Sequence, residues 1–139
     1  MIAVAEDLFR IDEVGTALLG SRCAGCDTTY FPQAVSCRNP ECERKELEVT
    51  TLGRTGTLFS WTVQHYQPPA LYRVDDWQPY AVGLVELPEG LRVLAMLTGA
   101  PPGEIPIGEP LTLTTVPLYR DDEGRDVLTY AYAPAGRAL

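Results

Sequence analysis

Four cysteines carry the plainest chemistry in this sequence. Cys23 and Cys26 form a C-x2-C pair, ten residues follow, and Cys37 and Cys42 form a C-x4-C pair; the 139 residues contain no other cysteine. Thiolates at short paired spacing are soft ligands that close a tetrahedral shell around one metal ion, and two such knuckles held by short strands make a zinc ribbon. Four thiolates leave no open position for water or substrate, so the motif points to a structural zinc rather than a catalytic one. A redox iron or a disulfide switch in the same cage is the alternative. The second pair is wider than the common two-residue gap, and Pro40 inside it can turn the chain sharply enough to bring Cys42 back.

Nothing else in the chain assembles a reaction centre. His65 is the one histidine, and with every cysteine committed to metal no Ser-His-Asp or Cys-His set can be built around it. Asp75 and Asp76, and Asp121, Asp122 and Glu123, fall in turn-forming stretches where carboxylates are normally solvated. There is no P-loop, no GxGxxG fingerprint and no GxSxG elbow. The expectation is a chain that is not catalytic alone. Aromatics are the second feature. Trp61, Tyr66, Tyr72, Trp77 and Tyr80, with Arg73, bracket a proline-rich excursion at 68–80. Trp, Tyr and Arg are the residues that anchor interfaces, so this loop reads as one that meets a partner or covers a ligand.

The elements that must position these groups follow from periodicity. Residues 5–19 place Leu8, Ile11, Leu18 and Leu19 on one helical stripe, weakened by Gly15, and an N-terminal helix is expected there. Residues 20–48 hold the ribbon, with a short strand at 28–31 ended by Pro32. From Leu52 the pattern turns to period two. In TGTLFSWTVQHY, Phe59, Trp61 and Val63 alternate with Ser60, Thr62 and Gln64, which predicts a strand burying the aromatic side. Segments 80–87 and 91–97 flank PEG, and 111–119 and 127–133 flank DDEG, giving two hairpins joined by a Pro/Gly-rich bridge at 100–110. One long strand, a hairpin, a connector and a last hairpin is the plan of a five-stranded OB-fold barrel, with a split SH3-like barrel as the other reading. The expected organisation is mainly β: an N-terminal helical segment at 1–19, the ribbon at 20–48 and the OB-fold at 49–139.

Bulk properties narrow the partners. A net charge of −8 comes from 19 acids against ten Arg and the single Lys45, with the cations scattered. Nucleic-acid and anionic-membrane binders carry basic stripes, so charge argues against both, although OB folds and ribbons often bind single strands. There is no apolar run of transmembrane length, and the first residues turn acidic where a secretory signal would be basic. The expectation is a cytoplasmic protein that keeps its thiols reduced.

Several phrases, in order, carry a resemblance. They are Arg22-Cys23-x-x-Cys26, Tyr30-Phe31-Pro32, GTLFSWTV at 56–63, PYAVGLVEL at 79–87 and IGEPL at 107–111. With them the chain resembles the acyl-CoA-associated proteins in which a rubredoxin-like zinc ribbon precedes an OB-fold, catalogued as domain of unknown function 35. The C-x4-C second knuckle departs from the C-x2-C of many relatives. The likeness is nearest to the branch that partners thiolase-like aldolases of steroid (cholesterol) side-chain degradation. It implies an accessory subunit of a retro-aldolase (lyase) complex, paired as α2β2 with a sterol-carrier-protein-type, thiolase-like protein whose acyl-CoA substrate it shares. The same role beside a thiolase or an enoyl-CoA hydratase is the alternative.

Overall fold

A computed structural model describes residues 2–4, 8–12, 15–65, 74–75 and 78–135. Most of the aromatic excursion, including Tyr66, Tyr72, Arg73 and Trp77, lies outside the described residues. The described residues form ten strands: β1 (Ile2–Ala3), β2 (Phe9–Asp12), β3 (Gly15–Cys23), β4 (Thr29–Tyr30), β5 (Leu47–Thr51), β6 (Thr55–Gln64), β7 (Tyr80–Glu86), β8 (Arg92–Leu97), β9 (Pro110–Arg120) and β10 (Asp126–Pro134). Among the described residues there is no helix, and therefore none long and apolar enough to cross a membrane.

The second half of the chain closes into a barrel. β6 pairs β7, β7 pairs β8, β8 runs parallel to β10, β10 pairs β9, and β9 returns to β6. That ring of five strands is the OB-fold. Its hairpins sit where the turn residues demand. Gly90 and Gly124 hold φ of 92° and 77°, which L side chains avoid. Asp121 accepts from the backbone N–H groups of Glu123 and Arg125 and from the Arg125 guanidinium, so it is a turn former and not an acid–base group. Inside the barrel Leu58, Val85, Val93, Leu111 and Tyr132 are fully buried. Among the described residues the Tyr132 hydroxyl has no hydrogen-bond partner, a cost on the order of 1–3 kcal/mol that burial of its ring must offset.

Two expectations are corrected. The N-terminal segment is a β-hairpin, not a helix: β2 pairs antiparallel with β3, with Phe9 opposite Leu18. Its apolar residues suit either spacing, and tertiary partners decide, because β3 is held on both edges. β2 lines its first half, and β5 and β4 line the half that leads to Cys23. Thr16, Leu18 and Gly20 then alternate inward, and Phe9 and Leu18 join the same core cluster as the barrel residues.

The second correction concerns β6. Leu58, not Phe59, faces the core, since Phe59 is 44% exposed and Trp61 40%. The cause is a bulge. Leu58 pairs Val85 and Ser60 pairs the next residue back, Leu84, so Phe59 is the extra residue. The alternation read from sequence breaks at that point.

The ribbon and barrel meet through aromatic edges. Tyr130 on β10 makes T-shaped contacts with Phe9 on β2 and with Phe31 beside the knuckle, at centroid distances of 5.6 and 5.7 Å. The step ending β4 is a cis Phe31–Pro32 bond.

Candidate metal centre

β3 delivers Cys23 fully buried at its last position. The chain then reverses: Asp27 N–H donates to the Cys23 carbonyl at 2.8 Å and Cys23 N–H to the Thr28 carbonyl at 2.9 Å. Asp27 sits at φ 63°, a left-handed position that Asp tolerates, and Arg22 pairs with its carboxylate. Gly25 is fixed by packing, since a Cβ there would lie 1.8 Å from the Arg44 carbonyl oxygen. Only glycine lets the two knuckles approach this closely.

The second knuckle spans its wider gap by a turn on Asn39. Cys42 N–H donates to the Asn39 carbonyl at 3.1 Å, and Glu41 N–H to the Asn39 side-chain oxygen at 3.0 Å. Lys45 Nζ then caps the Cys37 and Asn39 carbonyls at 3.1 and 2.8 Å. Pro40 lies inside that turn, where the sequence placed it.

All four Sγ atoms lie within 4.8 Å of one another. Cys23 and Cys42 are 3.7 Å apart, and so are Cys26 and Cys37. A tetrahedral ion with Zn–S bonds of ~2.3 Å separates its sulfurs by ~3.8 Å, so the donor set fits zinc. Around it stand groups that the cysteine spacing did not reveal. Thr28 Oγ1 is 3.2 Å from Cys26 Sγ, and Tyr30 OH is 3.4 Å from Cys37 Sγ while accepting from Arg38 N–H at 2.7 Å. Such partners orient ligands and stabilise thiolate. The available signal was a hydroxyl residue just after the first C-x2-C.

The thiols do not ionise alike. The Thr28 hydroxyl and backbone hold Cys26 at about 6, whereas burial pushes Cys42 up to about 12. At Cys23 burial opposes ionisation, but backbone hydrogen bonds outweigh it and lower the pKa. Zinc takes thiolates, so every thiol still protonated must release its proton on binding. Zinc affinity is therefore expected to fall as pH falls. The slope should steepen by about one log unit per pH unit below about pH 6, where Cys26 also becomes protonated. Competition against a chelator of known affinity from pH 5 to 8 measures it; a flat profile would rule out thiolate binding.

The other sequence candidates stay apart. His65 is exposed just past β6 and no described group hydrogen-bonds it. Asp75 accepts from Arg120 N–H at 3.4 Å on the far strand β9, and Asp76 lies outside the described residues.

Comparison with known proteins agrees with this geometry. Residues 17–48 match the family model described as ChsH2, rubredoxin-like zinc ribbon domain, and residues 49–116 match ChsH2, C-terminal OB-fold domain. A DUF35 domain-containing scaffold protein of Methanocaldococcus jannaschii is 32% identical over 117 residues, covering 83% of this chain and 78% of that one. This chain belongs to the DUF35 family. The chain is also similar to the benzoylsuccinyl-CoA thiolase subunit BbsA of Thauera aromatica, 31% identical over 83% of this chain and 74% of BbsA. Among solved structures, a chain of the Ltp2-ChsH2(DUF35) aldolase superposes with a TM-score of 0.65 at 30% identity, over 86% of this chain and 85% of that one.

Proposed function

We propose that this DUF35 chain is a non-catalytic accessory subunit of an acyl-CoA-processing complex, with one structural zinc held by Cys23, Cys26, Cys37 and Cys42. The likeness to the Ltp2-ChsH2(DUF35) aldolase carries the reading, because it spans nearly the whole of both chains. The most specific form is a retro-aldolase. A thiolase-like partner supplies the base that removes the β-hydroxyl proton of a steroid side-chain β-hydroxyacyl-CoA. The C–C bond breaks, and one fragment leaves as an acyl-CoA enolate that is then protonated. This chain shapes and closes the pocket. The expected complex is α2β2 in the cytoplasm.

The BbsA similarity supports a second reading, the same role beside a thiolase. The two differ in chemistry, since a thiolase needs free CoA to receive the cleaved acyl group and a retro-aldolase does not. The test is to purify the chain alone and together with a thiolase-like protein of the same genome. Each preparation is then assayed on β-hydroxyacyl-CoA without free CoA and, because thiolysis needs a β-carbonyl, on β-ketoacyl-CoA with free CoA. The chain alone is expected to be silent and the pair active without CoA. Robust turnover by the isolated chain would sink the accessory role, and activity only on β-ketoacyl-CoA with free CoA would select the thiolase reading.

A further inference from the structure

The outer side of the barrel sheet is apolar where it should be polar. Along β7 and β8, Val85, Val93 and Ala95 point inward and are buried. The alternate residues point out. Leu84 pairs Leu94, Val82 pairs Met96 and Glu86 pairs Arg92 across the two strands. Leu94 is 62% exposed, and the bulge on β6 turns Phe59 to the same side, with the Arg92 guanidinium stacked on its ring at 3.6 Å. Val82, Leu84 and Met96 are partly exposed and do not pack on the core cluster. An aromatic, aliphatic side chains and a stacked arginine on one face is the composition of an interface centre.

Arg92 indicates what covers the face. Its Nε donates to Glu86 at 3.1 Å, and stacking on Phe59 fixes the plane of the guanidinium, leaving the Nη edge without a described partner. Such a fork is built for a carboxylate. The acid beside Arg92 on this face, Glu86, is already engaged in an ion pair with it, so the same face of a second copy offers no free carboxylate at that position. A net charge of −8 on each chain also opposes self-association.

We infer that the outer face of β6–β8 docks the catalytic subunit of the complex, which meets Leu94 and Phe59 with an apolar patch and Arg92 with a carboxylate. This rests on the accessory-subunit reading and adds the place of contact. The fold supports the face from behind: the Tyr130 hydroxyl donates to the Leu94 carbonyl at 3.0 Å, and Tyr130 in turn carries Phe31 of the ribbon.

The probe is a thiolase-like protein of the same genome, co-purified with the full chain. Wild type, Leu94→Glu, the milder Leu94→Gln, Arg92→Ala and Val35→Glu are compared for dissociation constant, zinc content and circular dichroism. Val35 is fully exposed on the ribbon and serves as the remote control. The expected result is about a 30-fold loss of affinity for Leu94→Glu and about tenfold for Arg92→Ala, the range of interface anchors, with Val35→Glu unchanged and every variant folded and zinc-loaded. Leu94→Gln should fall between. Wild-type binding with no loss in the folded Leu94 and Arg92 variants overturns the docking face while leaving the accessory role standing. Loss in Val35→Glu alone moves the contact to the ribbon and overturns it too. A free wild-type dimer that Leu94→Glu splits assigns the face to a second copy. If wild type binds neither the thiolase-like protein nor a hydratase subunit, the accessory reading fails first.

Discussion

Cys37→Ser is expected to reduce bound zinc to well below one per chain and to melt the ribbon locally while the barrel persists. The argument starts at the ligand. Cys37 is buried, 3.7 Å from Cys26 and 3.4 Å from Tyr30 OH, so a serine oxygen there cannot complete the thiolate shell. Structural zinc contributes roughly 10–16 kcal/mol to folding in small zinc modules, and the buried residues packed on the cage are few. Residues 24–46 contain one two-residue strand, so little else holds them without metal. The barrel keeps its own closed ladder and core, and should retain its β-type circular dichroism. Elemental analysis gives the zinc loss, and hydrogen exchange should show fast exchange at 24–46 against slow exchange in β7, β8 and β10. Equal protection in both regions, or collapse of both, would count against a metal-held module on an independent barrel. Chelator treatment of wild type should give the same pattern.

How much of this could be read from the chain depended on how local the cause was. The cysteine cage was legible because metal coordination fixes residue type and spacing together. The hairpins at Gly90 and Gly124 were legible because the turn residues lie in the turn itself. The barrel followed from the order of those hairpins. The N-terminal hairpin was not legible. Leu8, Ile11, Leu18 and Leu19 satisfy a helical stripe, and what overrules it is the pairing of β3 with β5, whose residues lie some thirty positions on. The exposed Phe59 was missed for a related reason, since a bulge shows only when the partner strand is known. Gly25 reads as ordinary punctuation until the Arg44 carbonyl is placed against it. For the docking face, sequence pointed to the aromatic excursion at 68–80, most of which lies outside the described residues. The described surface offers a different set of anchors: Arg92 and Leu94 by the alternation of β8, and Phe59 turned outward by that same bulge.

Phe9→Ala is the second large effect expected, and it tests whether the N-terminal hairpin is an appendage or part of the core. Phe9 is fully buried, stands opposite Leu18 in the β2–β3 ladder and meets the edge of Tyr130 on β10. Removing a buried phenyl costs about 3–5 kcal/mol through lost transfer energy and the cavity left behind. The lost edge-to-face contact contributes within that range. In a domain of this size each kcal/mol moves the melting temperature by ~3 °C, so a drop of about 10–15 °C is expected. Because Tyr130 also carries Phe31, the cavity lies at the seam between ribbon and barrel. Zinc should therefore become easier to extract with a chelator even though no ligand has changed. Phe9→Leu, which keeps most of the volume, should cost less than about 1.5 kcal/mol and leave zinc extraction near wild type. The measurements are thermal melts by far-UV circular dichroism and the rate of zinc release to a chromogenic chelator. A melting temperature within ~3 °C of wild type for Phe9→Ala would show that β2 merely lies on the surface and that the barrel and ribbon are joined without it.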